Sequence, residues 1–280
     1  EEFARLLAAN PKNAALSAPE VPSRQEQPEE TAEPIVDEVI EEPNPFVAQV
    51  MADAERLSAE DEPYHREPIT YEAPYLDNLP TAPREKFAAN ITAIQKLKEI
   101  EQRVANGGSP AFEDEQKILA QYTGWGGLSD AFDPNKSAWS NEYSQLKAAL
   151  SESEYEAARS STLTAFYTPA TVIHPIYRAL ERFGVKGGKI LEPSMGTGAF
   201  LAHGHFGSSD AKFYGVELDS ITGRISKQLY QKANIQVTGY ENALLPDNYF
   251  DCVIGNVPFG NFQVNDPQYN RLHFPIHDYF

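Results

Sequence analysis

Three short stretches carry residue types that could do chemistry, and each sits where a strand-like run ends. The first is Leu191-Glu192-Pro193-Ser194-Met195-Gly196-Thr197-Gly198-Ala199-Phe200. Gly196 and Gly198 permit a sharp turn and let a ligand approach the main chain with no Cβ in the way. A Gly-x-Gly pair alone is weak; the acid-proline pair ahead of it adds information. A phosphate site wants backbone amides and a helix dipole, not a carboxylate in the same pocket. Glu192 therefore suits a cation such as an amino group. The second stretch is Tyr214-Gly215-Val216-Glu217-Leu218-Asp219. An acid at such a strand end can accept both hydroxyls of a ribose. Glu217 lies 19 residues beyond Gly198, the spacing of a βαβ unit. A nicotinamide-dependent enzyme would carry a similar acid, so this residue alone does not decide.

The third stretch is more specific. The run Phe250–Gly255 ends in Asn256-Val257-Pro258-Phe259. An exocyclic amine whose lone pair is delocalised into a ring is a weak nucleophile. The Asn256 side-chain oxygen can accept one of its N–H bonds and the Val257 main-chain carbonyl the other. Two acceptors favour a pyramidal nitrogen, which is activation by orientation and electrostatics without a strong base. Pro258 stiffens the turn, and Phe259 offers a face for stacking a planar group.

Elements to position these residues are readable from about residue 163 onward. A helix is predicted over 170–183, with strands at 189–195, 212–218, 235–240 and 250–256. Helices begin at 199–206 and 221–232. This alternation predicts an α/β fold with a doubly wound, Rossmann-like parallel sheet. The run Cys252-Val253-Ile254 reads as a buried central strand, with Cys252 in the core. Upstream, residues 83–160 read as helical. Phe87, Ile91, Ile94, Leu97 and Ile100 recur at helical spacing over 84–104. Further helices are expected at 112–122 and 139–159. The turn Gly124-Trp125-Gly126-Gly127 reads first as a tight turn with a core Trp; a functional loop near the site is the other reading.

Composition divides the chain again. Residues 1–76 hold 18 acidic and 5 basic residues, net −13, out of a total of −18. Their Pro- and Glu-rich character predicts a disordered acidic linker. The remainder is only mildly acidic, which leaves a nucleic-acid partner open. A single cysteine excludes a disulfide within the chain and fits a reducing cytoplasm. No apolar run reaches membrane-spanning length. The six histidines form no metal-ligand pattern. His203 and His205 lack a spaced acid or Cys, while His273 and His277 are candidates for lining a nucleic-acid surface. The first residue is not Met and the sheet lacks strands after the last motif, so the chain reads as a piece of something longer.

In order and spacing, the three stretches resemble the motifs of class I S-adenosylmethionine (SAM)-dependent N6-adenine DNA methyltransferases. Phe166-Tyr167-Thr168-Pro169, ahead of them, looks like the motif that helps close the SAM pocket, as in the γ-type order. The upstream Gly-Trp-Gly-Gly turn extends the likeness to the methylase region of large methyltransferase–helicase fusion proteins of phages and mobile elements. The resemblance implies a SAM-binding set of Tyr167, Thr168, Pro169, Glu192, Pro193, Ser194, Gly196, Gly198, Phe200, Glu217, Asp219 and Glu241. Asn256, Val257, Pro258 and Phe259 would form the catalytic set, holding an adenine flipped out of DNA. The family's commonest motif has Pro where Val257 stands, but only the carbonyl is needed there. Composition and pattern divide the chain into 1–76, 83–160 and 163–280; the resemblance says nothing about 1–76 and implies a helicase module in the same full-length chain. An amine in RNA or a protein glutamine would suit the same two-acceptor geometry, and a non-catalytic SAM-fold module is the remaining alternative.

Overall fold

The computed structural model describes residues 67–70, 79–162, 167–204, 211–258, 263–267 and 269–280. Phe166, His205 and Phe259 lie outside the described residues, as does the acidic segment apart from 67–70. Within that segment, expected to be disordered, Thr70 forms an antiparallel bridge with Tyr230. The Gln231 amide also donates to the Ile69 carbonyl at 3.1 Å.

Helix α1 spans Pro83–Ala105 and starts on Pro83, whose missing N–H costs nothing in the first turn. Its buried face is Phe87, Asn90, Ile91, Ala93, Ile94, Leu97 and Ile100. All but Asn90 are apolar, and that exception matters below. Helix α2 is Glu113–Leu119. The single helix expected over 139–159 is two, α3 (Ser140–Ala149) and α4 (Glu152–Ser161). Ser151 breaks it by forming a capping box with Glu154, each side chain satisfying the other's backbone amide.

Then come α5 (Ala170–Arg182), β1 (Lys189–Glu192), α6 (Ala199–His203), β2 (Lys212–Glu217), α7 (Ser220–Leu229), β3 (Asn234–Val237) and β4 (Cys252–Val253). A short helix α8, Ile276–Tyr279, closes the described chain. The strands form a parallel sheet in the order β3-β2-β1-β4. The chain runs outward from β1 through β2 to β3, then returns to the other side of β1. The carboxyl ends of β1 and β4 thus flank the topological switch point, where open α/β sheets leave a crevice for ligands.

One face of the sheet carries Ile190, with Ile173 and Tyr177 of α5, Phe200 of α6, and Ile254. The opposite face carries Leu191, Tyr214 and Val216, covered by Ala243 and Tyr249 of the β3–β4 connection. Among the described residues the longer helices α5–α7 lie on the first face, while the opposite face has the β3–β4 connection, whose Tyr240 meets Tyr279 of the short helix α8. Strand β4 is not the buried central strand its composition suggests. Among the described residues it pairs with β1 alone, and Val253 is 59% exposed while Cys252 is half-buried.

The helical layer is not a separate body. A single apolar cluster joins Ile94, Leu97, Trp125 and Ala158 to Met195, Leu201, Ile221, Ile225 and Ile235. Polar contacts fasten the same seam. Arg224 on α7 donates to both carboxylate oxygens of Glu101 (2.7 and 2.9 Å) and to Glu154 (2.7 Å). Burial pushes the Glu154 carboxyl up, but the bonds from Arg224, the Ser151 amide and Lys98 outweigh it and hold the pKa at about 2. Replacing Arg224 with Ala removes the cation that Glu101 and Glu154 share and leaves Glu154 its longer bond to Lys98. Urea unfolding of Arg224→Ala should show a loss of about 2 kcal/mol, near the lower end for breaking a largely buried pair.

Candidate active site

The glycine loop after β1 is built from both neighbouring strands. The Met195 amide donates to the Val216 carbonyl (3.0 Å) and the Gly198 amide to the Met195 carbonyl (2.8 Å). The Ser226 hydroxyl, from α7, donates to the Gly196 carbonyl at 2.9 Å. Gly196 and Gly198 have φ of +54° and +77°, a region where a side chain is strained. Gly198 is also the residue on which α6 starts.

Three acids stand around this loop, each in a different state. Glu192, at the end of β1, is 2% exposed, and its Oε2 has no hydrogen-bond partner among the described residues. Burial, then the neighbouring Glu217, pushes its carboxyl well above the ordinary range. Such a group is costly unless something cationic arrives to pair with it. Glu217, half-buried at the end of β2, accepts the Gly196 amide (2.7 Å) and the Asp219 amide (2.8 Å). Desolvation lifts its pKa to about 7 against the pull of those amides. Each of its oxygens keeps a further lone pair for a ligand. Asp219 caps α7, its Oδ1 accepting the Thr222 amide (2.7 Å) and hydroxyl (2.6 Å). Its buried Oδ2 has no hydrogen-bond partner among the described residues.

The strand ends bring the third motif to the first. The Ile254 amide donates to the Leu191 carbonyl at 2.9 Å. A Cβ on Gly255 would touch Glu192 Cγ at 3.4 Å and Pro193 Cδ at 3.5 Å. Asn256, the next residue, is exposed, while Val257 and Pro258 are half-buried. An amide residue and the Val257 carbonyl thus follow directly on the backbone that touches the buried acid. Tyr167, Thr168 and Pro169 immediately precede α5, and the Tyr167 ring abuts Gly196. Ser194 is half-buried within the glycine loop.

One expected ligand residue is placed differently. Phe200 is 2% exposed and packs with Ile173, Tyr177, Ile190 and Ile254, so its side chain fills the core beneath the loop. Glu241, in a 3-10 turn after β3, accepts the Asn242 side-chain amide (2.9 Å) and folds over Gly239. Sequence reasoning also missed members of the site. Ser226 and Thr222 look like ordinary polar helix residues, and only their contacts with Gly196 and Asp219 mark them. Leu218 is 76% exposed beside Glu217, an apolar side chain left at the strand end.

Residues 153–275 match the family model described as N-6 DNA Methylase. Two curated relatives are similar in sequence. The chain is 28% identical over 198 residues to Defense against restriction protein B of Escherichia phage P1, covering 70% of this chain and 7% of that protein. It is 33% identical over 95 residues to Modification methylase CviBIII of Paramecium bursaria Chlorella virus NC1A, covering 34% of this chain and 25% of that protein. The family match covers less than half of the chain. The family match starts inside α4 and so takes in the last helix of the helical layer as well as the sheet. The chain spans a quarter or less of both relatives. No described helix is long and apolar enough to cross a membrane, and among the described residues no three potential ligands cluster around a metal position.

Proposed function

We propose that this chain is the cofactor-binding and catalytic part of a SAM-dependent enzyme that methylates N6 of adenine in DNA. One observation carries the reading: Glu192, buried with a carboxylate oxygen unpartnered among the described residues, lies against the strand end that leads into Asn256. The donor set suits SAM. Glu192 would take its ammonium group, the Gly196–Gly198 turn its methionine backbone, Glu217 its ribose, and Leu218 an apolar side of its adenine. SAM supplies a methyl group on a sulfonium, a good leaving group. The chain's own contribution is orientation: Asn256 and the Val257 carbonyl accept the two N–H bonds of the target amine and direct its lone pair. Phe259, by the family resemblance, stacks on the base, which must leave the duplex to reach this position.

The likeness to methyltransferase–helicase fusions, with the small share of both relatives that is covered, supports reading the chain as one module of a larger protein. A helicase part in the same polypeptide and a cytoplasmic location belong to this proposal. The direct experiment expresses the intact protein in a host without adenine methylation and quantifies N6-methyladenine by mass spectrometry. Methyladenine that disappears with Asn256→Ala supports both target and site. Its absence in both overturns the DNA assignment.

The glycine loop yields a separate prediction. A side chain at Gly196 would have its Cβ 2.6 Å from the Tyr167 ring at a φ of +54°. Gly196→Arg should therefore lose measurable SAM binding in calorimetric titration. Retained affinity would remove this loop from the cofactor site.

A further inference from the structure

The Gly124–Gly127 turn belongs to the helical layer and has no part in the chemistry above, yet it reaches the same site. Trp125 is fully buried and packs edge-on against Phe87, Tyr122 and Phe132, with ring centroids 5.3–6.3 Å apart. The turn is fixed from α1 by Asn90, which is itself fully buried. Asn90 Nδ2 donates to the Gly124 carbonyl (2.7 Å), and its Oδ1 accepts the Thr123 amide (2.8 Å) and hydroxyl (3.2 Å). Lys86 Nζ adds a bond to the Gly126 carbonyl at 2.8 Å. A buried amide saturated by one turn, on an otherwise apolar helix face, fixes that turn's position closely.

The turn meets Tyr167. A Cβ on Gly124 would stand 2.5 Å from Tyr167 Oη and 3.1 Å from Cζ, while one on Gly196 would stand 2.6 Å from Cε1 and 2.9 Å from Cδ1. The Tyr167 ring is thus held between a glycine of the helical layer and a glycine of the loop, both at positive φ. Displacing the ring at one glycine must disturb the other, because cores this tight do not deform continuously.

We propose that the Asn90–Gly124 turn is a positioning element of the cofactor pocket, setting the glycine loop through Tyr167. The cofactor part of this inference rests on the functional reading above; the mechanical coupling does not. Two readouts on the intact protein separate them: hydrogen exchange of the 194–200 amides without ligand, and calorimetric affinity for SAM. Gly124→Ala should speed exchange in 194–200, leave exchange in α3 unchanged, and weaken SAM binding tenfold or more. Adding Tyr167→Phe removes the hydroxyl that the new methyl group strikes and should restore most of the loss of exchange protection; SAM affinity is read only in Gly124→Ala and Asn90→Ala, because Tyr167 itself lies in the proposed cofactor set. Asn90→Ala, which keeps the glycine, should produce the same pattern at several-fold smaller size. Unchanged exchange in Gly124→Ala and Asn90→Ala, or an exchange loss in Gly124→Ala that Tyr167→Phe does not relieve, would overturn the coupling. A parent protein that binds no SAM would instead overturn the functional reading, and the exchange data would still decide the coupling.

Discussion

Asn256→Ala in the intact protein should reduce methyl transfer about a thousandfold while leaving SAM affinity within about threefold. The magnitude follows from the loss of one pre-placed hydrogen-bond partner at a reacting centre, roughly 10²–10³ in rate. The separation of effects follows from position. Asn256 is exposed beyond the end of β4, two residues past the last amide bonded to β1. The acids and glycines assigned to the cofactor lie instead on β1, β2 and the loop between β1 and α6. Truncating Asn256 removes one acceptor for the target amine and leaves Glu192, Glu217 and the glycine loop intact. The Val257 carbonyl survives, so a trace of orientation remains. Single-turnover rates on adenine-containing duplex, with SAM affinity measured separately, test this. A variant that loses SAM affinity in step with rate would place Asn256 in the cofactor site and remove its assigned role.

The candidate residues are more legible in the sequence than the packing around them. Glu192, Gly196, Gly198 and Asn256 can be read locally, because a glycine at positive φ and an acid or amide at a strand end leave short signatures. The parallel sheet follows from the same alternation, and its switch point falls where those signatures predict. Errors arose where neighbours decide. Cys252-Val253-Ile254 has the composition of a central strand, yet exposure depends on what lies beside it, and Val253 is open to solvent. Phe200 sits in the motif that resembles a cofactor loop, but its side chain turns under the loop into the core. The break at Ser151 is present as a Ser-x-x-Glu pattern inside the single helix expected over 139–159. The change of texture near residue 163 suggested a boundary, whereas the apolar cluster runs straight across it. Least legible was the Asn90–Gly124–Tyr167–Gly196 chain of contacts, which joins segments far apart in sequence and has no local pattern.

Replacing Glu192 with Gln should weaken SAM binding about 10- to 100-fold, the worth of a hydrogen bond to a charged group, about 1.5–3 kcal/mol. The same change should raise the melting temperature of the ligand-free protein at alkaline pH. Both effects have one cause. Glu192 is buried and unpartnered among the described residues, and its pKa is raised first by burial and then by Glu217. Glu217 itself titrates at about 7. Above the ordinary carboxylate pKa of about 4, the unfolded chain has released these protons while the folded chain still holds them. Stability contributed by these two groups therefore falls as pH rises, through about 7 for Glu217 and continuing upward for Glu192. The opposite trend from Glu154, whose pKa is held at about 2, belongs to acid conditions below that window. Cofactor affinity should run the other way, since an ammonium group pairs with the ionised acid. In the parent, raising the pH from about 6 to about 8 should lower the melting temperature and tighten SAM binding. In Glu192→Gln both slopes should flatten. A variant that binds less tightly and is also less stable at every pH would make Glu192 a structural acid. One that gains stability while losing affinity identifies a charge kept in the core for its ligand, at a cost to the fold.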